Sequence, residues 1–139
     1  MSTTLFPAPV KVGRPSADGS AQGGVVLAQR VTLPQNSTTA VTATMVLPKG
    51  RIIDVIFDTT TAWNSGTSAT GTLGTAAGGT QIAGAIDTKT AGRARPTFSA
   101  AQLAAMNLAA ETTLHATVTP SGATSAGSTT VTVLYEPLP

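Results

Sequence analysis

The sequence contains no cysteine, which excludes disulfide bonds, thiolate catalysis and cysteine-ligated metal sites. Aromatic residues make up only 4% and charged residues only 10% of the 139 residues, whereas a disordered chain would carry more charge and less Val, Ile and Leu. No apolar run approaches the ~18 residues of a membrane-spanning helix. The net charge of +2 is too small to indicate binding to nucleic acid or to a membrane surface. Stability is therefore expected to come from packing, from hydrogen bonds between strands and from oligomerisation.

Catalytic signatures are equally scarce. The one histidine, His115, faces away from the apolar residues of its predicted strand, and neither a G-x-S-x-G elbow nor a phosphate-binding glycine loop occurs. A single histidine without cysteine argues against a zinc site. Asp54 and Asp58 share one face of a predicted strand and could in principle serve glycoside hydrolysis, but the aromatic platforms of a sugar-binding cleft are missing. We therefore expect no enzymatic activity, no cofactor and no metal ion.

The abundant residues are typical of an all-β protein. Thr and Ala dominate, and the branched side chain of Thr suits a pleated strand. The 14 Gly and 9 Pro interrupt the chain at intervals of about ten residues. A chain of 139 residues is expected to form one domain. We predict a β-sandwich or jelly-roll-like domain over residues 25–139, with about seven or eight short strands and one short helix.

Residues 1–24 are predicted to form an extended N-terminal arm, because Pro7, Pro9 and Pro15 prevent regular helix or central strand. The arm is either a terminus without fixed structure or a segment that orders against a neighbouring subunit. Its candidate subunit or capsid contacts are Leu5, Phe6, Val10, Lys11 and Arg14. It has neither the basic start nor the long apolar core of a signal peptide, so we expect assembly in a cytoplasm.

The chain is organised around residues 45–75. A turn at Leu47-Pro48-Lys49-Gly50 precedes a strand with a period of two, which is typical of a sheet strand with one buried face. One face is predicted to carry Ile53, Val55 and Phe57, and the other Ile52, Asp54, Ile56 and Asp58. Trp63 follows beside the turn Asn64-Ser65-Gly66 and is our candidate core anchor. A strand of small residues, 67–75, completes the stretch.

The same alternation predicts the other strands, at 25–33, 37–47, 80–87, 111–119 and 128–136. Their predicted inward or anchoring residues are Val25, Leu27, Val31, Leu33, Val41, Ala43, Met45, Leu47, Ile82, Ile86, Leu114, Ala116, Val118, Val131, Val133 and Tyr135. The one predicted helix is Ser99–Met106, where Ser99 and Gln102 have the spacing of a capping box. Leu103 and Met106 are expected to hold this helix against a sheet edge.

A predicted loop, Thr88–Pro96, holds the basic cluster Lys89, Arg93 and Arg95. It is either a solvated loop or a contact with an acidic neighbour, because the planar guanidinium group of Arg matches a carboxylate. Nucleic acid is the weaker alternative, since the cluster is small and lacks interleaved aromatic residues.

The sequence also resembles a known family. The run L-P-K-G-R-I-I-D-V-I-F-D-T-T-T-A-W-N-S-G-T-S-A-T-G-T-L-G-T is similar to small virion proteins of tailed bacteriophages and gene transfer agents, which share an L-P-x-G turn, an alternating strand, a Trp near a turn and a closing G-T. The similarity continues through A-G-R-A-R-P, S-A-A-Q-L-A-A-M and T-L-H-A-T-V-T-P-S-G-A-T-S-A-G-S-T-T-V-T-V-L-Y-E-P. It covers about Leu27 to Pro137, and its order is more specific than any one of its residues.

The resemblance implies a β-sandwich or jelly-roll subunit on the outer surface of a phage particle. The implied role is a head decoration, or cement, protein that binds the major capsid protein lattice as a homotrimer, with neither nucleic acid nor membrane as a partner. The alternative is a head-spike, fibre-base or tail adhesion module that binds a host receptor or glycan. Aromatic residues in the loops would favour this alternative, and only Trp63 lies in a predicted loop.

Overall fold

A computed structural model describes residues 24–36 and 39–138. It contains nine strands and one helix within this part of the chain. The elements are β1 (Leu27–Pro34), β2 (Val41–Leu47), β3 (Gly50–Thr61), β4 (Ala69–Gly74), β5 (Ala83–Asp87), β6 (Gly92–Ala94), α1 (Ala100–Ala105), β7 (Asn107–Leu108), β8 (Thr112–Pro120) and β9 (Ser128–Pro137). The prediction of an all-β sandwich with one short helix is confirmed. Among the described residues, no helix is long and apolar enough to cross a membrane.

The strands form two antiparallel sheets. One sheet has the order β1-β9-β3-β6, with β7 also paired to β3, and the other has the order β2-β8-β4-β5. From β1 to β4, each successive strand changes sheet. The last strand, β9, lies between β1 and β3, so the first and last strands of the domain are paired in the five-stranded sheet.

The core lies between the two sheets. The five-stranded sheet contributes Leu33, Val55, Phe57, Val131 and Val133, and the four-stranded sheet contributes Leu47, Leu73, Leu114, Ala116 and Val118, all of them fully buried. In β2 and β9 the buried side chains alternate with more exposed ones, and β8 follows the same pattern except at Thr117, which is also buried. The inward residues predicted for these three strands are confirmed.

In β3, the prediction that Ile53 shares a face with Val55 and Phe57 is wrong. The pairing with β9 shifts between Ile52, opposite Tyr135, and Asp54, opposite Leu134. Ile53 is the extra residue of a β-bulge, which leaves one residue unpaired and reverses the alternation on one side of it. Ile52 therefore lies in the core, whereas Ile53 is 39% exposed.

The start of the first predicted strand also differs from the prediction. Val25 and Leu27 share the face of the buried Leu33 by alternation, but both are exposed. The amide of Gln29, also on this face, donates a 2.7 Å hydrogen bond to the carbonyl oxygen of Val46 in the other sheet. The buried core ends at this polar contact. Val25 and Leu27 lie on its solvent side.

The capping box at the start of α1 is confirmed. The Ser99 hydroxyl accepts a 3.2 Å hydrogen bond from the backbone N–H of Gln102, and the Gln102 side-chain oxygen accepts a 2.9 Å bond from the N–H of Ser99. Met106 is buried, and its carbonyl accepts a 2.8 Å bond from the N–H of Ile52. The prediction for Leu103 is wrong, because this side chain is 54% exposed. This helix of six residues is held to the sheet at its C-terminal end, and none of its own residues is buried.

The predicted loop Thr88–Pro96 contains a short strand that the sequence pattern did not indicate. β6 pairs with Phe57, Asp58 and Thr59 of β3. Its three residues, Gly92-Arg93-Ala94, are too few and too polar to show an alternating pattern.

Trp63 lies between the sheets at the end of β3 and is 1% exposed. Its indole N–H donates a 2.9 Å hydrogen bond to the Thr129 hydroxyl, which also lies 3.0 Å from the Thr59 hydroxyl. The indole ring packs directly on the backbone of Gly127. The ring therefore connects β3, β9 and the loop before β9.

Replacement of Gly127 by Ala tests this packing. A Cβ atom at residue 127 would lie 2.5 Å from Cδ2 of Trp63, so the ring or the loop must move. We expect Gly127→Ala to lower the free energy of unfolding by about 1–3 kcal/mol, measured by urea denaturation. Gly122→Ala is the control in the same loop, because a Cβ atom there meets nothing within 4 Å, and the φ of +156° at Gly127 adds backbone strain to the loss expected for Gly127→Ala. Equal stability of the two variants would contradict the described packing.

Candidate functional site

The first candidate surface lies on the outer face of the five-stranded sheet. The pairing of β6 with β3 places Arg93 opposite Asp58. Arg93 Nε lies 2.6 Å from Asp58 Oδ1, and Arg93 Nη2 lies 3.2 Å from Asp58 Oδ2, so the pair is bidentate. The hydrogen bonding of Arg93, as donor, to Asp58, and then the negative charge of that carboxylate, raise the pKa of Arg93. The Arg93 side chain is 66% exposed, so the pair lies at the surface.

A second ion pair lies on the same face. Arg95 Nε is 3.3 Å from Asp54 Oδ2. The structure thus brings Arg93 and Arg95 to one surface, together with both carboxylates that the sequence predicted to share a face. Four residues along a strand separate the two aspartates by ~13 Å, which is more than the ~5–9.5 Å between the carboxyl groups of a glycosidase. The two aspartates instead neutralise the two arginines.

Lys89, the third cation of the cluster, contacts a different element. Its ammonium group donates a hydrogen bond to the carbonyl oxygen of Ser65 and lies 3.5 Å from that of Gly66. Its backbone N–H donates a 3.0 Å bond to the Asp87 carboxylate. Lys89 therefore ties the loop before β6 to the turn after Trp63.

The arm candidates Leu5, Phe6, Val10, Lys11 and Arg14 lie outside the described residues. Their contacts with a subunit or a capsid stay a prediction.

His115 lies in the middle of β8, opposite Thr44 of β2 and Gly74 of β4. It is half-buried on the outer side of the four-stranded sheet. The described part of the chain contains no group of three His, Cys, Asp or Glu residues that could hold a metal ion.

The sequence analysis missed an open groove beside α1. It is lined by Arg51, Ile52, Ile53, Leu103, Met106 and Asn107, and its volume is about 350 Å³. The groove exists because the bulge in β3 turns Ile53 outward, towards the exposed side of the helix. The adjacent pair Ile52-Ile53 was the available signal, since two consecutive apolar residues cannot both face the core of a regular strand.

The comparison with solved structures gave one similar chain, from a structure described as "Cyanophage Pam1 capsid asymmetric unit". The TM-score is 0.57 and the sequence identity is 20%, over 96% of this chain and 100% of that chain. No protein-family model and no curated protein matches this sequence. The similarity shows a shared fold between two chains of comparable length.

Replacement of Arg95 by Ala tests whether the outer-face ion pairs are needed for folding. Arg95 is 62% exposed, and exposed ion pairs contribute ~1 kcal/mol or less. We expect Arg95→Ala to lower the free energy of unfolding by less than ~1 kcal/mol, measured by urea denaturation. Arg30→Ala is the control, because no ion pair found among the described residues involves Arg30. A loss above ~2 kcal/mol would make the pair a structural element of the fold.

Proposed function

We propose that this protein is a structural virion protein, namely a decoration protein that binds the outside of an assembled phage head as a homotrimer. The observation that carries the proposal is the similarity in fold to a chain of a cyanophage capsid asymmetric unit, over nearly all of both chains. In this proposal the partner is the major capsid protein lattice. The protein has no catalytic role, and it binds neither nucleic acid nor membrane.

The order of the strands supports the proposal. With the two-residue β7 set aside, the sheets pair as β1-β9-β3-β6 and β2-β8-β4-β5. We assign this order to the eight-stranded jelly roll. In that fold, eight strands divide in this order between two antiparallel sheets of four strands each. Jelly rolls are common among viral capsid domains.

The outer face of the five-stranded sheet offers a contact that suits an acidic partner. Arg93 uses two of its five N–H donors on Asp58. Its remaining donors can bind a second carboxylate, and Arg95 beside it has the same capacity. Each such contact is weak when exposed. A trimer would engage several capsid subunits at once, and this linkage can strengthen binding by ~10²-fold or more without any new contact.

The alternative of an adhesion module that binds a host glycan is less well supported. Sugar recognition would require an exposed aromatic ring. Among the aromatic residues of the described segments, Phe57, Trp63 and Tyr135 are buried and Phe98 is half-buried. Trp63 was the loop aromatic that left this alternative open, and its side chain is buried in the core.

The number of copies per particle tests the role. We expect quantitative mass spectrometry of purified particles to give hundreds of copies per head, because a decoration protein repeats with the capsid lattice. We expect light scattering of the purified protein to give the mass of a trimer. A copy number of about a dozen would instead indicate a spike or tail component, and a monomer at high concentration would contradict the trimer.

The basic cluster is tested by its removal. We expect the triple variant Lys89→Ala, Arg93→Ala, Arg95→Ala to bind undecorated heads at least ~10-fold more weakly, and the wild-type protein to lose binding as salt rises. The readout is cosedimentation with the heads. Lys49→Ala is the control, because Lys49 is an exposed cation outside the cluster. Unchanged binding of the folded triple variant would exclude this surface as the contact.

A further inference from the structure

The exposed apolar residues of the described segments are all at one end of the sandwich. They are Val25, Val26, Leu27, Val46, Ile53, Leu103 and Leu138. At this end β1 and β3 begin and β2 and β9 finish, and α1 lies beside the start of β3. We call this surface, defined by these seven residues, the apolar end.

These residues lie at the same end but not on one face, because Val46 alternates with the buried Met45 and Leu47 and points out of the four-stranded sheet, whereas Ile53 points out of the five-stranded sheet. The start of β1 is next to the end of β9, where Leu27 pairs with Tyr135. The N–H of Leu138, just beyond, donates a 3.0 Å hydrogen bond to the carbonyl oxygen of Lys49. Gln29 binds the carbonyl of Val46 across the two sheets. The backbones of β1, β2 and β9 therefore come close at this end, although 92 positions separate Val46 from Leu138 in the sequence.

The groove beside α1 extends the surface. Ile53 and Leu103 form its exposed apolar walls, with Met106 at its base. Arg51 stands at the rim, 3.8 Å from the carboxylate of Glu136. An apolar surface with a polar rim of this kind marks a site of interaction.

The opposite end of the sandwich is different. There, the turns after Trp63 and after β8 are joined by side-chain hydrogen bonds of Asn64, Ser65, Ser121 and Ser125. The contrast shows that exposed apolar residues are confined to one end and are not a general property of this surface.

The position where the described chain begins identifies what covers the apolar end. Gly24 packs so closely on Glu136 that a Cβ atom would collide with the carboxylate. Gly24, where the described chain begins, therefore lies beside the Glu136–Arg51 pair, and Arg51 also lines the groove. Within the 23 residues before Gly24, the segment Leu5–Val12 is rich in large apolar side chains, with Leu5, Phe6, Val10 and Val12.

The chain is long enough for this segment to reach the groove. From the start of β1, the far side of the groove, beside α1, lies beyond β9 and β3, about three strand spacings or ~14 Å away. Eleven residues connect the segment to Gly24, and a chain of that length can span at most ~36 Å. A tether of this length gives a local concentration on the order of millimolar, which favours docking within one chain.

We propose that, in the free protein, Leu5–Val12 of the same chain docks on the apolar end, with Phe6 in the groove between Ile53 and Leu103. The segment would bury apolar surface on both partners. This inference is independent of the virion role.

The absence of cysteine allows a direct test in the full-length chain. In the double variant Phe6→Cys, Leu103→Cys, mild oxidation should form an intrachain disulfide, because docking brings the two Cα atoms within bonding range. The product is a faster-moving monomer on a non-reducing gel. Phe6→Cys, Ala123→Cys is the matched control, since Ala123 is exposed in the loop at the opposite end. We expect a severalfold higher yield for the first pair.

Equal yields for the two pairs would overturn the proposal. A disulfide between chains, seen as a dimer band for the Leu103 pair, would also overturn docking within one chain and would assign the segment to a second copy.

A second measurement avoids the added cysteines. We expect Phe6→Asp to raise the fluorescence of a dye that binds exposed apolar surface severalfold, because the groove is uncovered. Ser2→Asp is the control, with the same charge change outside the segment. Near-ultraviolet circular dichroism should stay unchanged in both variants. Equal fluorescence of the two folded variants would overturn the proposal.

Discussion

The fold depends on the antiparallel pairing of β3 with β9. This ladder joins ten positions of the two longest strands, and their inner faces supply Val55, Phe57, Val131 and Val133 to the core. β9 also pairs with β1, and β3 also pairs with β6 and β7. Every strand of the five-stranded sheet is therefore attached to this one pair. The core contains few aromatic residues. Among the described residues, its largest fully buried side chains are the indole of Trp63 and the ring of Phe57 in this strand pair.

The two ends of the sandwich are built by different interactions. At one end, Trp63 is fixed by Thr129 and by contact with Gly127, and polar side chains connect the surrounding turns. At the other end, the bulge at Ile53 and the short helix leave apolar side chains in solvent. A bulge costs one unpaired residue but re-aims a side chain. Here it converts a core position into one wall of a groove.

The charged groups of the described segments are consistent with a protein that acts through its surfaces. Arg93 in β6 and Arg95 just after it form ion pairs with Asp58 and Asp54 of β3. The charges on this face are therefore balanced, and both arginine side chains remain exposed to solvent. A partner with its own carboxylates can share these donors without the removal of an existing bond. The proposed contact with a capsid lattice and the proposed docking of the N-terminal segment use adjacent parts of the outer face of the five-stranded sheet, where Ile53 directly precedes Asp54.

Local pattern in the sequence was sufficient for the fold class, for most strands and for the capping box of α1. The period of two in β2, β8 and β9 identified their buried faces, because a pleated strand between two sheets must alternate. The capping box was predictable because both partners lie within four residues. The basic cluster and the two aspartates were also visible, but only as residues near in sequence.

The tertiary structure decided what depends on residues distant in the chain. The bulge at Ile53 arises from the register with β9, β6 forms only because β3 offers a free edge, and the carboxylates that bind Arg93 and Arg95 lie 35 and 41 positions away. The sequence by itself determined which residues are apolar and how they alternate. Which of them remain in solvent, and that they meet at one end, follows from the pairing of the strands, since alternation specifies a face but not a neighbour.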